Sequence, residues 1–328
     1  MKKIKFIDLL SYILISLASI ILIYIIYKSE IVHEGNIRSY YTKYYFLSGL
    51  FLFSSIFIFF LREEYKSKLL TIFISTFLSL YLVEYFLIFT KISAEWKYGT
   101  RDRIIESKKQ KKDFDERSKY QFYLDFKKEF PNAVFAVGSD DINDSSENIL
   151  NFGGISNRPT VLCNENGFFA TYNSDRYGFN NPYGEWEKGE IEYLLIGDSF
   201  VQGYCVNQKD TIAGNLRSLI KEKEPVISLG VAGTGPLAQY GMLREYSKKK
   251  TKRIIWVYCG ENDSKDFYNE KEVEIFNKYL NDRSFSQKLV LKQKKIDDLL
   301  IRRISQSESS YKLRFFKLYN LRTLLFGR

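Results

Sequence analysis

Residues 9–27 (LLSYILISLASIILIYIIY) carry no charged side chain for nineteen positions, and residues 44–61 (YYFLSGLFLFSSIFIFFL) carry none for eighteen. A hydrocarbon core needs about 20 residues of helix to cross, so each run is long enough. A third stretch, residues 69–90, is equally apolar except for Glu84 near its end. Three transmembrane helices are therefore expected over 9–27, 44–61 and 69–90. A cleaved signal peptide would also begin with a basic segment such as Lys2, Lys3 and Lys5. However, the first apolar run exceeds the usual 7–15 residues and lacks a small-residue cleavage site. Glu84 reads as a carboxylate that reaches the interface or pairs with a neighbouring helix.

Basic residues set the expected orientation. Lys2, Lys3 and Lys5 in the short N-terminus, with Arg62, Lys66 and Lys68 in the tight second loop, favour placing both segments in the cytoplasm. Residues 91–119 oppose this with ten basic and six acidic side chains, but long domains translocate largely regardless of such charge. The soluble part is accordingly expected outside the cytoplasm, periplasmic or extracellular, with the lipid bilayer as a partner.

Residues 109–130 (KQKKDFDERSKYQFYLDFKKEF) mix charges and aromatics without Gly or Pro. A polar juxtamembrane helix or stalk is expected over 92–130. Beyond Pro131, short apolar runs separated by Gly, Asn, Asp and Ser have the texture of a packed domain, taken as 131–328. From residue 191 strands and helices alternate: a buried strand over 191–196, a helix over 208–223 with Ile212, Leu216, Leu219 and Ile220 on one face, and a strand over 226–231. A helix over 236–249 and a strand over 253–258 follow. This spacing predicts an α/β domain with a parallel sheet, and such sheets bind ligands at the carboxyl ends of their strands.

The chemistry available is narrow. His33 is the only histidine among 328 residues and three cysteines form no CxxC pair, which excludes imidazole-rich metal sites and zinc ribbons. No cofactor is implied. The net charge of +10 comes without any nucleic-acid motif, and its basic residues lie beside the membrane and in the tail.

The first strand is followed by Gly197-Asp198-Ser199-Phe200, the second by Gly230-Val231-Ala232-Gly233-Thr234-Gly235 and the third by Gly260-Glu261-Asn262-Asp263. A serine leaving a strand directly into a turn and helix exposes its hydroxyl at the sheet edge. A glycine loop offers a backbone N–H and Asn262 a side-chain amide, the donors that a tetrahedral oxyanion requires. At these residues the chain resembles the SGNH hydrolases, also called the GDSL family. The resemblance implies a flavodoxin-like three-layer fold with Ser199 as nucleophile and Ser199 N–H, Gly233 N–H and Asn262 as oxyanion hole. It also implies an ester hydrolase or O-acyltransferase acting on acylated envelope glycan or lipid. Residues 173–182 and the Cys163-Asn-Glu segment look like the lead-in of membrane-anchored members.

The sequence departs from the family pattern in its fourth block: no histidine follows Ser199, so the Asp-x-x-His segment that would supply the base is absent. The domain is expected to be C-terminally incomplete, the alternative being a natural pseudoenzyme that binds or assembles glycan. A helical run over 284–305 and a basic amphipathic tail are expected at the end. Cys163 and Cys205 lie in polar loops and could pair in an oxidising compartment, whereas Cys259 is expected to be buried and inert at a strand end.

Overall fold

A computed structural model describes residues 5–35, 38–90, 100–136, 138, 143–144, 149–221, 223–247 and 250–326. The chain divides into two compact units, one of residues 1–93 with 314–328, the other of residues 94–313.

In the first unit, α1 (Phe6–Ile26) runs on into a π-helical turn (Tyr27–Val32), followed by α2 (Arg38–Phe60) and α3 (Glu63–Phe89). All three helices are long and apolar enough to cross a membrane, with only 11–17% of each apolar window buried by protein. α1 and α2 bury small residues, Ser11, Ala18, Ser48 and Ser55, together with Ile58, and small residues let backbones approach closely, whereas α3 buries Lys66, Leu70, Glu84 and Leu87. The serine hydroxyls donate to carbonyls one turn back, as Ser11 does to Ile7 O (3.0 Å) and Ser55 to Phe51 O (2.8 Å). At one end of the bundle the buried ammonium of Lys66 pairs with Asp8 (2.8 Å), and Lys5 pairs with Glu63. The tail returns to this unit as α12 (Tyr319–Phe326). Glu84 is the helix-paired carboxylate expected from sequence, but its donors are in α12 rather than in another span. It accepts from Asn320 N–H (3.0 Å), Asn320 Nδ2 (2.8 Å) and Leu321 N–H (2.8 Å).

The second unit begins earlier than the expected boundary at 131. Residues 100–130 form α4 (Thr100–Lys109) and α5 (Lys119–Glu129), and α5 is part of the packed domain rather than a stalk. Ser118 and Gln121 make a reciprocal capping box at its start. Its Tyr120 and Tyr123 are buried with Ala133 and Val161 and lie against Phe135 and Tyr311. The aromatic residues interleaved with charge thus form one buried face, which is why this segment belongs to the domain.

The Tyr123 hydroxyl donates to Glu308 Oε1 (2.6 Å). Burial, reinforced by that carboxylate, pushes its phenol up to about 12. The folded state therefore holds this proton more tightly than an unfolded chain, whose phenol titrates near 10. The contribution is complete below about pH 10 and is lost as pH rises through about 12. The difference in Tm between the wild type and Tyr123→Phe in detergent should hold to about pH 9 and close between about pH 10 and 12. A difference that persists unchanged at high pH would remove the buried phenol–carboxylate contact.

After α5 come short strands. β1 (Val134–Phe135) pairs parallel with β4 (Pro159–Val161), which pairs antiparallel with β5 (Thr171–Asn173), while β2 (Asn143–Asp144) and β3 (Ile149–Leu150) form a separate antiparallel pair. The main sheet is three-stranded, parallel throughout, and ordered β7-β6-β8. β6 (Ile191–Ile196) matches its expected span and is central, burying Ile191, Leu194, Leu195 and Ile196 completely. α6 (Ser199–Gln202) and α7 (Ile212–Leu219) connect it to β7 (Val226–Ser228). α8 (Pro236–Tyr246) then leads to β8 (Thr251–Trp256), which is followed by α9 (Asp263–Glu270), α10 (Glu274–Asn281) and α11 (Gln293–Lys312).

The structure departs from expectation at several places in this unit. α7 turns Ala213 and Arg217 inward and leaves Ile212 and Leu219 exposed. The Arg217 guanidinium claims the inner face by bonding Val226 O (2.6 Å) and Asn181 Oδ1 (2.8 Å). The strand expected over 253–258 is β8, two residues earlier, and its Ile254, Ile255 and Trp256 are 51%, 37% and 44% exposed. Cys259 lies beyond the end of β8 and is half-buried, not enclosed. The helical run expected over 284–305 is instead α11, preceded by a 3-10 turn at Leu289–Lys292.

The free edge of β7 is closed by side chains. Asn181 Nδ2 donates to Ser228 O (2.9 Å) and its Oδ1 accepts from Ser228 N–H (2.8 Å), pairing as a strand would. Asp175 fixes this loop by accepting from Tyr177 N–H, Phe179 N–H, Asn181 Nδ2 and Trp186 Nε1. Burial pushes its carboxyl up against those four donors. The segment 173–182 thus protects the sheet edge.

Candidate active site

All three motif-bearing loops leave the carboxyl ends of β6, β7 and β8, and side chains tie them together. Ser199 is the first residue of α6, directly after the strand exit. Asp198 caps that turn: its Oδ1 accepts from Phe200 N–H (3.0 Å) and its Oδ2 from Asn262 Nδ2 (2.9 Å). One buried carboxylate therefore joins the Ser199 turn to the loop after β8. Asn262 Oδ1 is buried without a partner in the protein.

The glycine loop is held from the other side. Gln202 Oε1 accepts from Ala232 N–H (3.0 Å), and the Ser228 hydroxyl donates to Val201 O (2.9 Å). Gly230 sits where α6 crosses the second loop, and a Cβ there would stand 2.1 Å from Gln202 N. Gly233 is exposed with φ +75, a left-handed conformation that glycine adopts without steric cost. Among the described residues neither the Ser199 N–H nor the Gly233 N–H has an intramolecular acceptor. The expected site residues thus sit on neighbouring, mutually bonded loops, with two backbone donors uncommitted and the Asn262 amide shared with Asp198.

Gln239 on α8 gave no signal in the sequence beyond being a polar residue in an apolar helix, yet it is completely buried and acts as a hub. Its Nε2 donates to Thr234 O (2.9 Å) and Asp263 Oδ1 (3.2 Å), and its Oε1 accepts from Trp256 Nε1 (2.6 Å). Asp263 Oδ2 accepts from Cys259 N–H (2.6 Å), which shapes the turn that presents Asn262. Burial pushes the Asp263 carboxyl up, with Asp198 and Asp266 adding to the effect. Glu270 holds the start of α8 by accepting from Gly235, Leu237 and Ala238 N–H (2.8, 2.9 and 3.3 Å). Burial likewise raises its carboxyl, opposed by those amides.

Beside these loops lies a depression of about 320 Å³ lined by Pro236, Tyr258, Ser264, Phe267 and Tyr268. It is largely aromatic, with the Tyr258 and Ser264 hydroxyls 2.8 Å apart. Cys163 and Cys205 are joined in a disulfide, their Cα atoms 4.9 Å apart, while Asn166 Nδ2 donates to Cys205 O (3.3 Å). No cluster of three or more His, Cys, Asp or Glu suited to a metal ion occurs among the described residues. Compared with protein-family models, with curated proteins and with solved structures, the chain finds no match in any of the three.

Proposed function

We propose that this chain is a membrane-anchored protein of the SGNH type, an ester hydrolase or O-acyltransferase whose soluble domain acts on acylated envelope glycan or lipid outside the cytoplasm. The observation that carries this reading is the Asp198–Asn262 bond. It ties the serine turn after β6 to the asparagine loop after β8, while the Gly233 loop is fastened to α6 through Gln202. Ser199 serves as nucleophile, and the Ser199 and Gly233 N–H groups with the Asn262 amide receive the oxyanion. The aromatic depression beside them is of the size that small ligands occupy and suits an acyl chain. Export is supported by the basic N-terminus and second loop and by the Cys163–Cys205 disulfide, a bond that persists in oxidising compartments.

Within these residues no imidazole follows Ser199. A serine hydroxyl without a base forfeits about a hundred- to ten-thousand-fold of rate. Asp198 is committed to Phe200 N–H and Asn262, and Asp263 to Cys259 N–H and Gln239, so neither carboxylate replaces the base. This chain should hydrolyse activated esters only feebly, with Ser199→Ala making little further difference. The same observations favour a second reading, in which the fold binds acylated glycan without turning it over.

A fluorophosphonate probe with added imidazole as an external base separates the two. Covalent labelling that maps to Ser199 and disappears in Ser199→Ala supports the esterase-type site. Absence of labelling at Ser199 leaves the binding protein. Robust unaided turnover that vanishes in Ser199→Ala would show a base among the residues discussed and overturn the impaired reading.

A further inference from the structure

We propose that residues 314–326 form a fourth membrane element, lying in the headgroup–acyl boundary against the C-terminal end of α3, so that the chain meets the bilayer again beyond α11. The proposal rests on α1–α3 crossing the membrane, and its test separates the two.

Glu84 fixes the depth. It is completely buried, and the three donors described for it come from residues 320 and 321. A carboxylate among the first amides of a helix also meets the positive end of the helix dipole. Glu84 lies five residues before the end of α3 at Phe89, about 7.5 Å along the axis at 1.5 Å per residue. Interfacial helices bury their apolar faces about 5–10 Å into that boundary. One turn deeper, the Tyr81 ring packs 5.3 Å from Phe315 and its hydroxyl donates to Phe316 O (3.0 Å). The segment is therefore held to α3 at two successive levels of the span.

What it leaves uncovered matches lipid. Phe316, Leu324 and Leu325 are exposed, as are Val83, Phe86 and Phe89 near the end of α3. Arg314, Lys317 and Arg322 are the only charged residues between 314 and 326, giving a cationic edge beside an apolar face. The Arg314 guanidinium lies 4.3 Å from the Tyr319 ring centroid, an aromatic–cation pair suited to headgroup level.

The test uses the full chain in liposomes containing phosphatidylglycerol, with nitroxides placed singly through Leu325→Cys, Phe53→Cys in α2 and Tyr183→Cys on the soluble domain, each with Cys259→Ser. The measurement is collisional accessibility to oxygen relative to a water-soluble nickel chelate. The label at 325 should give a ratio within about threefold of that at 53 and at least fivefold above that at 183. Glu84→Leu should bring the 325 ratio down towards that at 183 while the 53 ratio stays lipid-like. A water-like ratio at 325 beside a lipid-like ratio at 53 in the unaltered background overturns the proposal and leaves the spans standing. A water-like ratio at 53 overturns both.

Discussion

Gly230→Ala should strip α6 from the sheet and cost on the order of 4 kcal/mol or more, a loss reserved for a few severe mechanisms. The added Cβ would stand 2.1 Å from Gln202 N, 2.4 Å from Val201 C and 2.8 Å from Gln202 Cα. All three are backbone atoms, so no rotamer change relieves the clash, and α6 would have to move as a body. That movement would break the Ser228 hydroxyl bond to Val201 O and the Gln202 bond to Ala232 N–H. It would also displace Ser199 at the first residue of the helix. Unfolding in denaturant and fluorophosphonate labelling should both register the change. Gly260→Ala is the control, because a Cβ there meets nothing within 4 Å and its effect should stay within about 0.5 kcal/mol. Equal stability of the two variants would mean that α6 does not pack on the second loop as described.

The contrast between these glycines shows where sequence was legible. The IEYLLI run reads as a buried strand because β6 has neighbours on both edges, and its apolar continuity reflects that position. RIIWVY reads as a strand too, but β8 has one pairing partner among the described residues and its apolar side chains are exposed. Periodicity reports what a strand can bury and says nothing of whether a neighbour is present. The α7 face was misjudged for a related reason. A buried Arg217 is explained only by long-range acceptors, Val226 O and Asn181 Oδ1, and no local pattern announces them. Aromatic residues between charges at 119–130 likewise concealed a packed helix, since their partners Val161 and Tyr311 are distant in sequence.

For the candidate site, the three loop motifs named Ser199, Gly233 and Asn262 directly, because glycine and polar residues after apolar strands are local signals. The supports were not local. Gln202, Gln239 and Glu270 are ordinary helix residues by sequence, and their roles appear only when α6, α8 and α9 converge on one end of the sheet. Asp198 bonds the loop amide of Phe200, and its second oxygen reaches Asn262. That contact gives Asn262 a structural task alongside the chemical one proposed for it.

The two tasks predict different outcomes. With imidazole supplied as base, Asn262→Ala should slow phosphonylation of Ser199 by about a hundred- to thousand-fold, the cost of removing one oxyanion donor, about 2.7–4 kcal/mol. Asp198→Asn keeps an oxygen for Phe200 N–H but sets an amide against Asn262 Nδ2, which loosens the loop and leaves the donor in place. Its effect should therefore be clearly smaller. If Asn262 only fastens the β8 loop to the serine turn, the two substitutions break the same bond, slow labelling equally, and show no further loss when combined. A larger loss for Asn262→Ala than for Asp198→Asn, with near-equal unfolding midpoints, assigns the excess to the developing oxyanion. Equal losses would remove Asn262 from the oxyanion hole and leave Ser199 and Gly233 N–H as its donors.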